Sequence, residues 1–174
     1  MISIERLGSD RAKECVGFYT RVITEAPHMD RYGRWKLGLY PTGEDLGSYI
    51  EKGAMYALAE DGAIAGAMAL TLEQGGAYPS VDWSLPLADD EVAVMHVLAV
   101  DPARQGKGLG KRLIDEAVAI ARKNGKKALR LDALASNTPA HRLYTEKGFV
   151  YRGTQNLYAA NTGWTDFFFF ELEI

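Results

Sequence analysis

The sequence predicts one α/β domain over residues 1–174, in which helices cover a mixed β-sheet. Its length of 174 residues suits a single domain. Hydrophobic residues make up 47% of the chain, enough for a continuous core. Strand patterns come first as a hairpin and later alternate with helical patterns, which is the order expected for a mixed sheet with covering helices.

The first half of the chain predicts a strand, a helix, an irregular segment, a short helix and a hairpin. Ile2 and Ile4 alternate with polar neighbours, as in a half-buried strand. Asp61-Gly62 is a hairpin turn signal between two apolar segments. The predicted elements are a strand over 1–7, a helix over 10–25, a loop or broken helix over 28–40, a helix over 44–50, and strands over 54–59 and 63–70.

The second half predicts strands that alternate with helices after a polar connection over 73–90. Gly125 and Gly148 are placed to end helices, and Pro139 lies near the first position of one. The predicted elements are a strand over 91–100, a helix over 108–124, a strand over 128–133, a helix from 137 to 147, and strands over 149–158 and 167–173.

Composition excludes several classes of function. The net charge of −3 gives no global attraction to nucleic acid. Cys15 is the only cysteine, so an internal disulfide and a cysteine-based zinc site are excluded, and its helical pattern favours packing over a nucleophilic role. Glu5 and Arg6 interrupt the start of the chain, and no apolar run is long enough to span a membrane. We therefore expect a cytoplasmic protein with no metal site and no nucleic-acid or membrane partner.

A glycine-rich segment between the 91–100 strand and the 108–124 helix predicts a phosphate site. Such a helix start presents unpaired backbone N–H groups and the positive end of the helix dipole. No acidic residue stands between Asp101 and Asp115. The segment contains three glycines and four basic residues: Gly106, Gly108, Gly110, Arg104, Lys107, Lys111 and Arg112.

Spacing excludes three familiar phosphate loops. A Walker A loop ending at Lys111 would need glycine at Gln105 and a hydroxyl residue at Arg112. A dinucleotide fingerprint starting at Gly106 would need glycine where Lys111 stands. A kinase glycine loop lies between two strands, whereas a helix follows here.

Two separate segments resemble the GCN5-related N-acetyltransferases, the GNAT family. Gln105-x-x-Gly108-x-Gly110 matches the family's pyrophosphate loop, [RQ]-x-x-G-x-[GA], within the similar segment VLAVDPARQGKGLGKRL. Downstream, the family's pattern N-x-x-A-x-x-L-Y-x-x-x-G-F is matched by Asn137, Ala140, Leu143, Tyr144, Gly148 and Phe149. The resemblance covers nearly the whole chain, loosely over the first ~50 residues. It implies the GNAT fold, a mostly antiparallel sheet with splayed central strands and about four flanking helices.

The resemblance implies direct transfer of an acetyl group from acetyl-coenzyme A to a primary amine, without an acyl-enzyme. It gives Tyr144 the role of general acid and Asn137 a cofactor contact. The Leu98 backbone N–H would meet the oxyanion, and Leu98 and Val100 would pair with the pantetheine arm. The implied cofactor-binding residues are Leu98, Ala99, Val100, Gln105, Gly106, Lys107, Gly108, Leu109, Gly110, Lys111, Asn137 and Tyr144.

The residues of the second motif support this chemistry on their own. The spacing of Asn137, His141 and Tyr144 places them along one helix face. A phenol with a pKa of about 10 can donate a proton at pH 7. The alternative for Tyr144 is a semi-buried aromatic that hydrogen-bonds a backbone carbonyl, and His141 is expected to be a solvated helix residue. Lys147 is expected at the surface.

The group that deprotonates the amine stays open between three candidates. An amine with a pKa near 10.4 is mostly protonated at pH 7 and must lose a proton before it attacks. Strand alternation predicts that His96 shares a face with Leu98, and we hypothesise that His96, or water ordered by it, receives the proton. The alternatives are a satisfied core role for His96, and Glu91 as the base. Asp132 is expected to point outward, in a structural salt bridge.

The acceptor pocket is expected between the 28–40 segment and the last hairpin. Its lining, or alternatively the core, would receive four aromatic residues: Trp35, Tyr40, Tyr158 and Trp164. By sign alone, Asp30, Glu44 or Asp45 would suit a cationic amine. The acceptor could be a small-molecule, peptide or protein amine, and the sequence does not name it.

Two other functions and one assembly remain as alternatives. A longer acyl group could replace acetyl, and a non-catalytic coenzyme A sensor could keep the same fold. The run Phe167–Phe170 makes both faces of the last strand apolar, so both must be covered. Burial within the monomer is the simpler account, and a homodimer contact is the alternative hypothesis.

Overall fold

The computed structural model describes residues 1–75, 78 and 81–174, and in that part of the chain seven strands form one sheet. The strand order is β1-β2-β3-β4-β5-β7-β6, antiparallel throughout except for the parallel pair β4 and β5. The strands are β1 (Ile2–Arg6), β2 (Met55–Glu60), β3 (Ala63–Thr71), β4 (Val92–Val100), β5 (Ala128–Leu134), β6 (Val150–Ala159) and β7 (Gly163–Glu173). The four α-helices are α1 (Ala12–Glu25), α2 (Gly43–Glu51), α3 (Leu109–Lys123) and α4 (Thr138–Glu146). This architecture confirms the predicted fold class.

The local turn signals account for most of the element boundaries. Asp61 and Gly62 both have positive φ, 51° and 83°, as a two-residue hairpin turn requires. The predicted 28–40 loop consists of turns closed by one bridge between Lys36 and Tyr40. The last strand is longer than predicted, because β7 already pairs with β6 at Gly163. Within the described residues, no helix is long and apolar enough to span a membrane.

Helices cover both faces of the sheet and create two cores. On one face, α3 and α4 pack on β5 and β7 through residues such as Leu113, Leu131 and Phe170. On the other face, α1 and α2 pack on β3 and β4 through residues such as Phe18 and Leu46. Cys15 belongs to this second core, and burial raises the pKa of its thiol to about 11, which fits a packing role.

Both faces of the phenylalanine run are covered within the monomer. The His141 ring stacks on Phe168 at 4.9 Å between ring centroids, and the Tyr144 ring lies 5.7 Å from Phe170. On the opposite face, Trp83 lies edge-on to Phe169 at 6.2 Å. The intramolecular account is therefore confirmed, and the run no longer supports a homodimer.

A buried ion pair that the sequence analysis did not anticipate fastens the segment after β3 onto the sheet. Arg130 on β5 and Glu171 on β7 are 1% and 2% exposed, with Arg130 Nη2 2.8 Å from Glu171 Oε2. Arg130 also donates to the Leu85 carbonyl at 2.9 Å, and its guanidinium lies 4.3 Å from the Trp83 ring centroid. The Ser84 N–H and hydroxyl both donate to Glu171. Through these contacts the ion pair holds residues 83–85, a loop distant in sequence, against β5 and β7.

Arg130→Met is expected to lower the free energy of unfolding by about 3 kcal/mol, because it leaves the Glu171 carboxylate buried without its main partner. Urea denaturation measures this change. The double variant Arg130→Met, Glu171→Met should cost less than the single one, since it removes the buried carboxylate and leaves only the part-exposed Arg152 guanidinium without its Glu171 partner. Lys111→Ala, which breaks an exposed pair with Glu146, is the control and should cost at most about 1 kcal/mol. A single-variant loss as small as that of the control would contradict the prediction.

Candidate active site

The centre of the sheet opens between β4 and β5. Their parallel pairing covers only Val92 to Val94 on β4 and stops there, although β4 continues to Val100. Beyond Val94 the two strands therefore splay apart, which confirms the expected separation of the central strands. The gap leaves backbone groups of β4 accessible from the side of β5.

A bulge in β4 changes which faces its side chains occupy. Against β3, Ala69 pairs with His96 and Ala67 with Ala99, so β4 has one residue more than β3 in this interval. Val97 has a φ of +47°, which is unusual for a β-branched residue, and its carbonyl accepts a 2.7 Å hydrogen bond from the Tyr19 hydroxyl of α1. The helix thus holds the bulge in place.

The bulge overturns the prediction that His96 and Leu98 share a strand face. Leu98 packs with the α3/α4 core, whereas the His96 ring stacks on Tyr49 of α2 at 5.6 Å. The extra residue shifts the two-residue alternation by one position, which sequence periodicity does not reveal. In the described pairing, Leu98 has no partner residue on β3 or on β5.

The glycine loop precedes α3 as predicted. Gly106 and Gly108 both have a φ of +78°, and a Cβ built at either would meet open space within 4 Å. Because side-chain-bearing residues rarely adopt this φ, glycine is required by the backbone and not by crowding. The loop therefore leads directly to the N-terminus of α3, a 15-residue helix whose first backbone N–H groups can bind an anion.

The basic cluster around this loop is smaller than predicted. The Arg104 guanidinium turns away to Glu60, at 2.7 Å, and to Asp101. Lys111 pairs with Glu146 of α4 at 2.8 Å, and Arg112 donates to the Ile2 carbonyl. The expectation that all four basic residues surround the phosphate site is wrong for Arg104, because the distant Glu60 and the nearby Asp101 hold its guanidinium elsewhere.

Helix α4 brings Tyr144 into the site. The Asn137 side chain caps the helix by accepting from the Ala140 N–H at 3.4 Å. The Tyr144 ring is buried between Phe149 and Phe170, and in the described chain its hydroxyl has no hydrogen-bond partner. Burial raises the pKa of Tyr144, so the phenol stays protonated at neutral pH. The alternative role, in which this hydroxyl binds a backbone carbonyl, is not what the structure shows.

His141 within α4 and Lys147 at its C-terminal cap are both held by other parts of the chain. His141 was expected to be solvated, but its Nε2 lies 2.9 Å from the Leu134 carbonyl and its ring stacks on Phe168, so it is a packed residue. Lys147 Nζ forms a 2.5 Å ion pair with Asp115 of α3. Lys147 therefore links two helices.

One cavity of about 790 Å³ connects these features through the splay. The predicted cofactor residues that line it are Leu98, Ala99, Val100, Gln105, Gly106, Gly110, Asn137 and Tyr144. The four that do not line it are Lys107, Gly108, Leu109 and Lys111, of which Leu109 has its side chain in the core. The predicted donor residues therefore lie mostly along one continuous wall.

The candidates for the base occupy different places. His96 lines the cavity, and burial lowers its pKa to about 4, so the ring is neutral at pH 7. Its Nε2 lies 3.4 Å from the Thr71 hydroxyl oxygen. Glu91 is outside the cavity lining and forms an ion pair with Lys127. Glu91 is therefore not placed to deprotonate an amine bound in this cavity.

Asp132 is a cavity residue that the sequence analysis placed in a salt bridge. Its carboxylate lines the cavity and accepts a 3.0 Å hydrogen bond from the Tyr78 hydroxyl, and no ion pair of this carboxylate is found in the described chain. Burial raises the pKa of Asp132, and the hydrogen bond from Tyr78 opposes that rise. The signal that could have found it is an acid within the apolar strand pattern of β5, next to the second motif.

The acceptor wall is only partly as predicted. Trp35 and Tyr40 line the cavity, whereas Tyr158 and Trp164 are 65% and 72% exposed and pack against each other at 5.9 Å. The guessed acids Asp30, Glu44 and Asp45 are all outside the lining, and the Asp45 carboxylate instead accepts from the Thr42 N–H in a capping box. Asp45, which its charge alone suggested for substrate binding, therefore serves to cap helix α2.

Comparison with known proteins decides the family. A family model described as the acetyltransferase (GNAT) family matches residues 17–149, more than half of the chain. The chain belongs to this family. The match includes the glycine loop, the bulged strand β4 and the α4 motif through Phe149.

Relatives and solved structures extend this comparison. A mycothiol acetyltransferase from Beutenbergia cavernae is 36% identical over 75 residues, which is 43% of this chain and 25% of the relative. The chain spans about a quarter of the length of the first curated relatives it matches. A GNAT-family acetyltransferase structure from Streptococcus pneumoniae has a TM-score of 0.72 at 23% identity, covering 100% of this chain and 99% of that one. A Salmonella typhimurium structure with its cofactor acetyl-CoA has a TM-score of 0.69 at 21% identity, covering 99% and 94%. These similarities show that the GNAT fold extends over the whole chain.

Proposed function

We propose that this GNAT-family chain transfers an acetyl group from acetyl-coenzyme A to a primary amine by direct attack. The observation that supports the proposal is a single cavity lined by the glycine loop, Leu98, Tyr144 and Asp132. The groups proposed to bind the donor and those proposed to transfer protons therefore line one volume. Release of coenzyme A thiol in the presence of amines tests this activity directly.

The donor would be held by the loop and by β4. Gln105, Gly106 and Gly110 line the cavity at the start of α3, where unpaired N–H groups and the helix dipole favour an anion such as a pyrophosphate. The positive φ of Gly106 and the open space before it fit a phosphate group lying against the backbone. The bound donor supplies a thioester carbonyl that an amine can attack.

The Leu98 backbone N–H is proposed to stabilise the negative charge that develops on the attacked carbonyl oxygen. The bulge at Val97 leaves Leu98 without a partner residue in the described strand pairing, while Leu98 lines the cavity. A preorganised backbone donor of this kind contributes several kcal/mol to acyl transfer. The interaction requires the splay, because regular pairing with β5 would occupy the same edge of β4.

Two side chains are proposed to handle the protons. Tyr144, protonated and without another partner for its hydroxyl, would donate to the leaving thiolate. Asp132, on the opposite face of β5 from the α3/α4 core, would receive the proton of the attacking ammonium, directly or through water that His96 orders. The raised pKa of Asp132 makes it a stronger base than an exposed aspartate.

His96→Ala is expected to lower kcat for amine acetylation roughly tenfold, because a neutral cavity histidine orders the acceptor or its water without being the base. In the native protein kcat/KM should fall on the acid side of its pH profile, and in His96→Ala this acid limb should lie at the same pH. Loss of that limb in His96→Ala would make His96 the base, and full activity at every pH would remove it from the reaction.

Calorimetric binding of acetyl-coenzyme A, combined with the thiol-release assay, distinguishes an enzyme from a non-catalytic binding module. If the protein binds acetyl-coenzyme A but releases no thiol with any amine of a broad panel, the chain is a coenzyme A-binding module. Turnover with any primary amine, confirmed by mass spectrometry of the acetylated product, supports the proposal.

A further inference from the structure

We infer that the acceptor is a small primary amine with one positive charge, carried on an uncharged and largely apolar stem. This inference rests on the proposed acetyl transfer and names the substrate class of the same cavity. It rests on which charged residues line the cavity and on the composition of the wall that faces Asp132.

Few of the described residues that line the cavity carry a charge. Among the described residues that line it, Asp132 is the only acid, and none is a lysine or an arginine. The lining includes two histidines, His28, which is exposed, and His96, whose buried ring is neutral at pH 7. A carboxylate or phosphate on the acceptor would thus lose its hydration without gaining a cationic partner.

The same inventory excludes acceptors with several amines. One carboxylate compensates one ammonium, and a second ammonium in the cavity would have no acid to pair with. The Arg31 guanidinium lies 5.4 Å from the ring centroid of Tyr32, which lines the cavity, although Arg31 itself is outside the lining. Its positive charge beside the lining further disfavours a polycation.

The wall opposite the donor is apolar and aromatic. It is formed mainly by the end of α1, the 28–40 segment and β7, with Val22, Ala26, Met29, Tyr32, Trp35 and Phe167 as lining residues. Burying an apolar stem against such a wall contributes about 25 cal/mol per Å² of area removed from water. The total cavity of about 790 Å³ must also admit the donor, so the stem is small.

Asn161 adds one neutral polar group to this wall. It lines the cavity, is 5% exposed, and its Nδ2 donates to the Arg34 carbonyl at 2.9 Å. Its Oδ1 is buried, with no hydrogen-bond partner among the residues that the structure describes. A buried acceptor of this kind is satisfied by an uncharged N–H or O–H donor, so a hydroxyl on the stem is compatible with the site.

Steady-state kinetics with matched amines tests the inference. We expect kcat/KM for phenethylamine and tyramine to exceed that for phenylalanine and spermidine at least tenfold. Phenylalanine differs from phenethylamine only by a carboxylate, and spermidine adds further ammonium groups to an unbranched stem. A preferred acceptor with a carboxylate, or with two or more cationic groups, would overturn the inference while acetyl transfer itself stands. If no primary amine is acetylated, the proposed function fails and the inference falls with it.

A variant pair locates the acceptor wall. Met29→Lys introduces a cation into the lining, and should lower the kcat/KM ratio of phenethylamine to phenylalanine at least fivefold. Leu37→Lys adds the same charge to the same segment at an exposed position outside the lining, and should leave the ratio unchanged. Equal ratios in the two variants would contradict the placement of the acceptor stem against this wall.

Discussion

Asp132→Asn is expected to lower kcat/KM for amine acetylation by about 10²- to 10⁴-fold, the usual contribution of a positioned general base. The amide keeps the shape of the carboxylate but can neither accept the ammonium proton nor neutralise its charge. The native protein should lose activity on the acid side as Asp132 becomes protonated, at a pH above the ordinary aspartate value because burial raises its pKa. In Asp132→Asn, this acid limb should disappear.

The controls for Asp132 separate chemistry from folding. Binding of acetyl-coenzyme A, measured by calorimetry, should be nearly unchanged, because the predicted donor contacts lie on the glycine loop, β4 and the α4 motif, and Asp132 is not among them. Asp115→Asn removes an acid that pairs with Lys147 on the helical face, outside the cavity lining, and should keep its activity. An Asp132→Asn protein within threefold of native activity would eliminate Asp132 as the proton acceptor.

Tyr144→Phe is expected to lower kcat by about 10²- to 10⁴-fold, because the leaving thiolate loses its proton donor. The phenyl ring keeps the contacts with Phe149 and Phe170. The missing hydroxyl breaks no hydrogen bond of the described chain, so the urea midpoint should change little. Burial raises the pKa of Tyr144, and therefore the native basic limb should not reflect deprotonation of this phenol.

A matched tyrosine serves as the control. Tyr151→Phe removes an exposed hydroxyl that lies 2.6 Å from the Thr154 hydroxyl, outside the cavity lining, and activity should be retained. If Tyr144→Phe kept native kcat while cofactor binding and stability stayed constant, the proton would have to come from solvent or from another group.

The positions of the glycine loop and of the α4 motif were predicted from the sequence because their signals are contiguous. The glycine loop with the start of α3, and the α4 motif from Asn137 to Tyr144, each lie within one short segment. Turn residues, helix caps and helix periodicity act over a few residues, and these are the ranges that sequence patterns describe. The fold class and the hairpin at Asp61-Gly62 were predicted from such patterns, the splay of β4 from β5 was implied by the resemblance to the GNAT family, and all three are confirmed.

The lining of the proposed acceptor wall was predicted poorly because it is assembled from distant segments. Its wall combines the end of α1, the 28–40 segment, β5 and the β6–β7 hairpin, where Asn161 donates to the Arg34 carbonyl 127 residues away. The aromatic residues expected there divided into two that line the cavity and two at the surface. Amino-acid type alone does not separate these outcomes, because both depend on contacts between segments.

By itself, the sequence determined the fold class and the position of the glycine loop, since both follow from local backbone rules and spacing, and its two motifs indicated the family. Only the tertiary structure decided where His96, Leu98 and Asp132 point. The bulge at Val97, held by Tyr19 from 78 residues away, inverts the expected strand alternation. For Asp132 the strand alternation holds, but the Tyr78 hydroxyl and the splay of β4 from β5 put a shared cavity on that face in place of the expected structural salt bridge. The physical reason is that contacts between distant segments shift the two-residue period of β4 and decide what covers the face of β5.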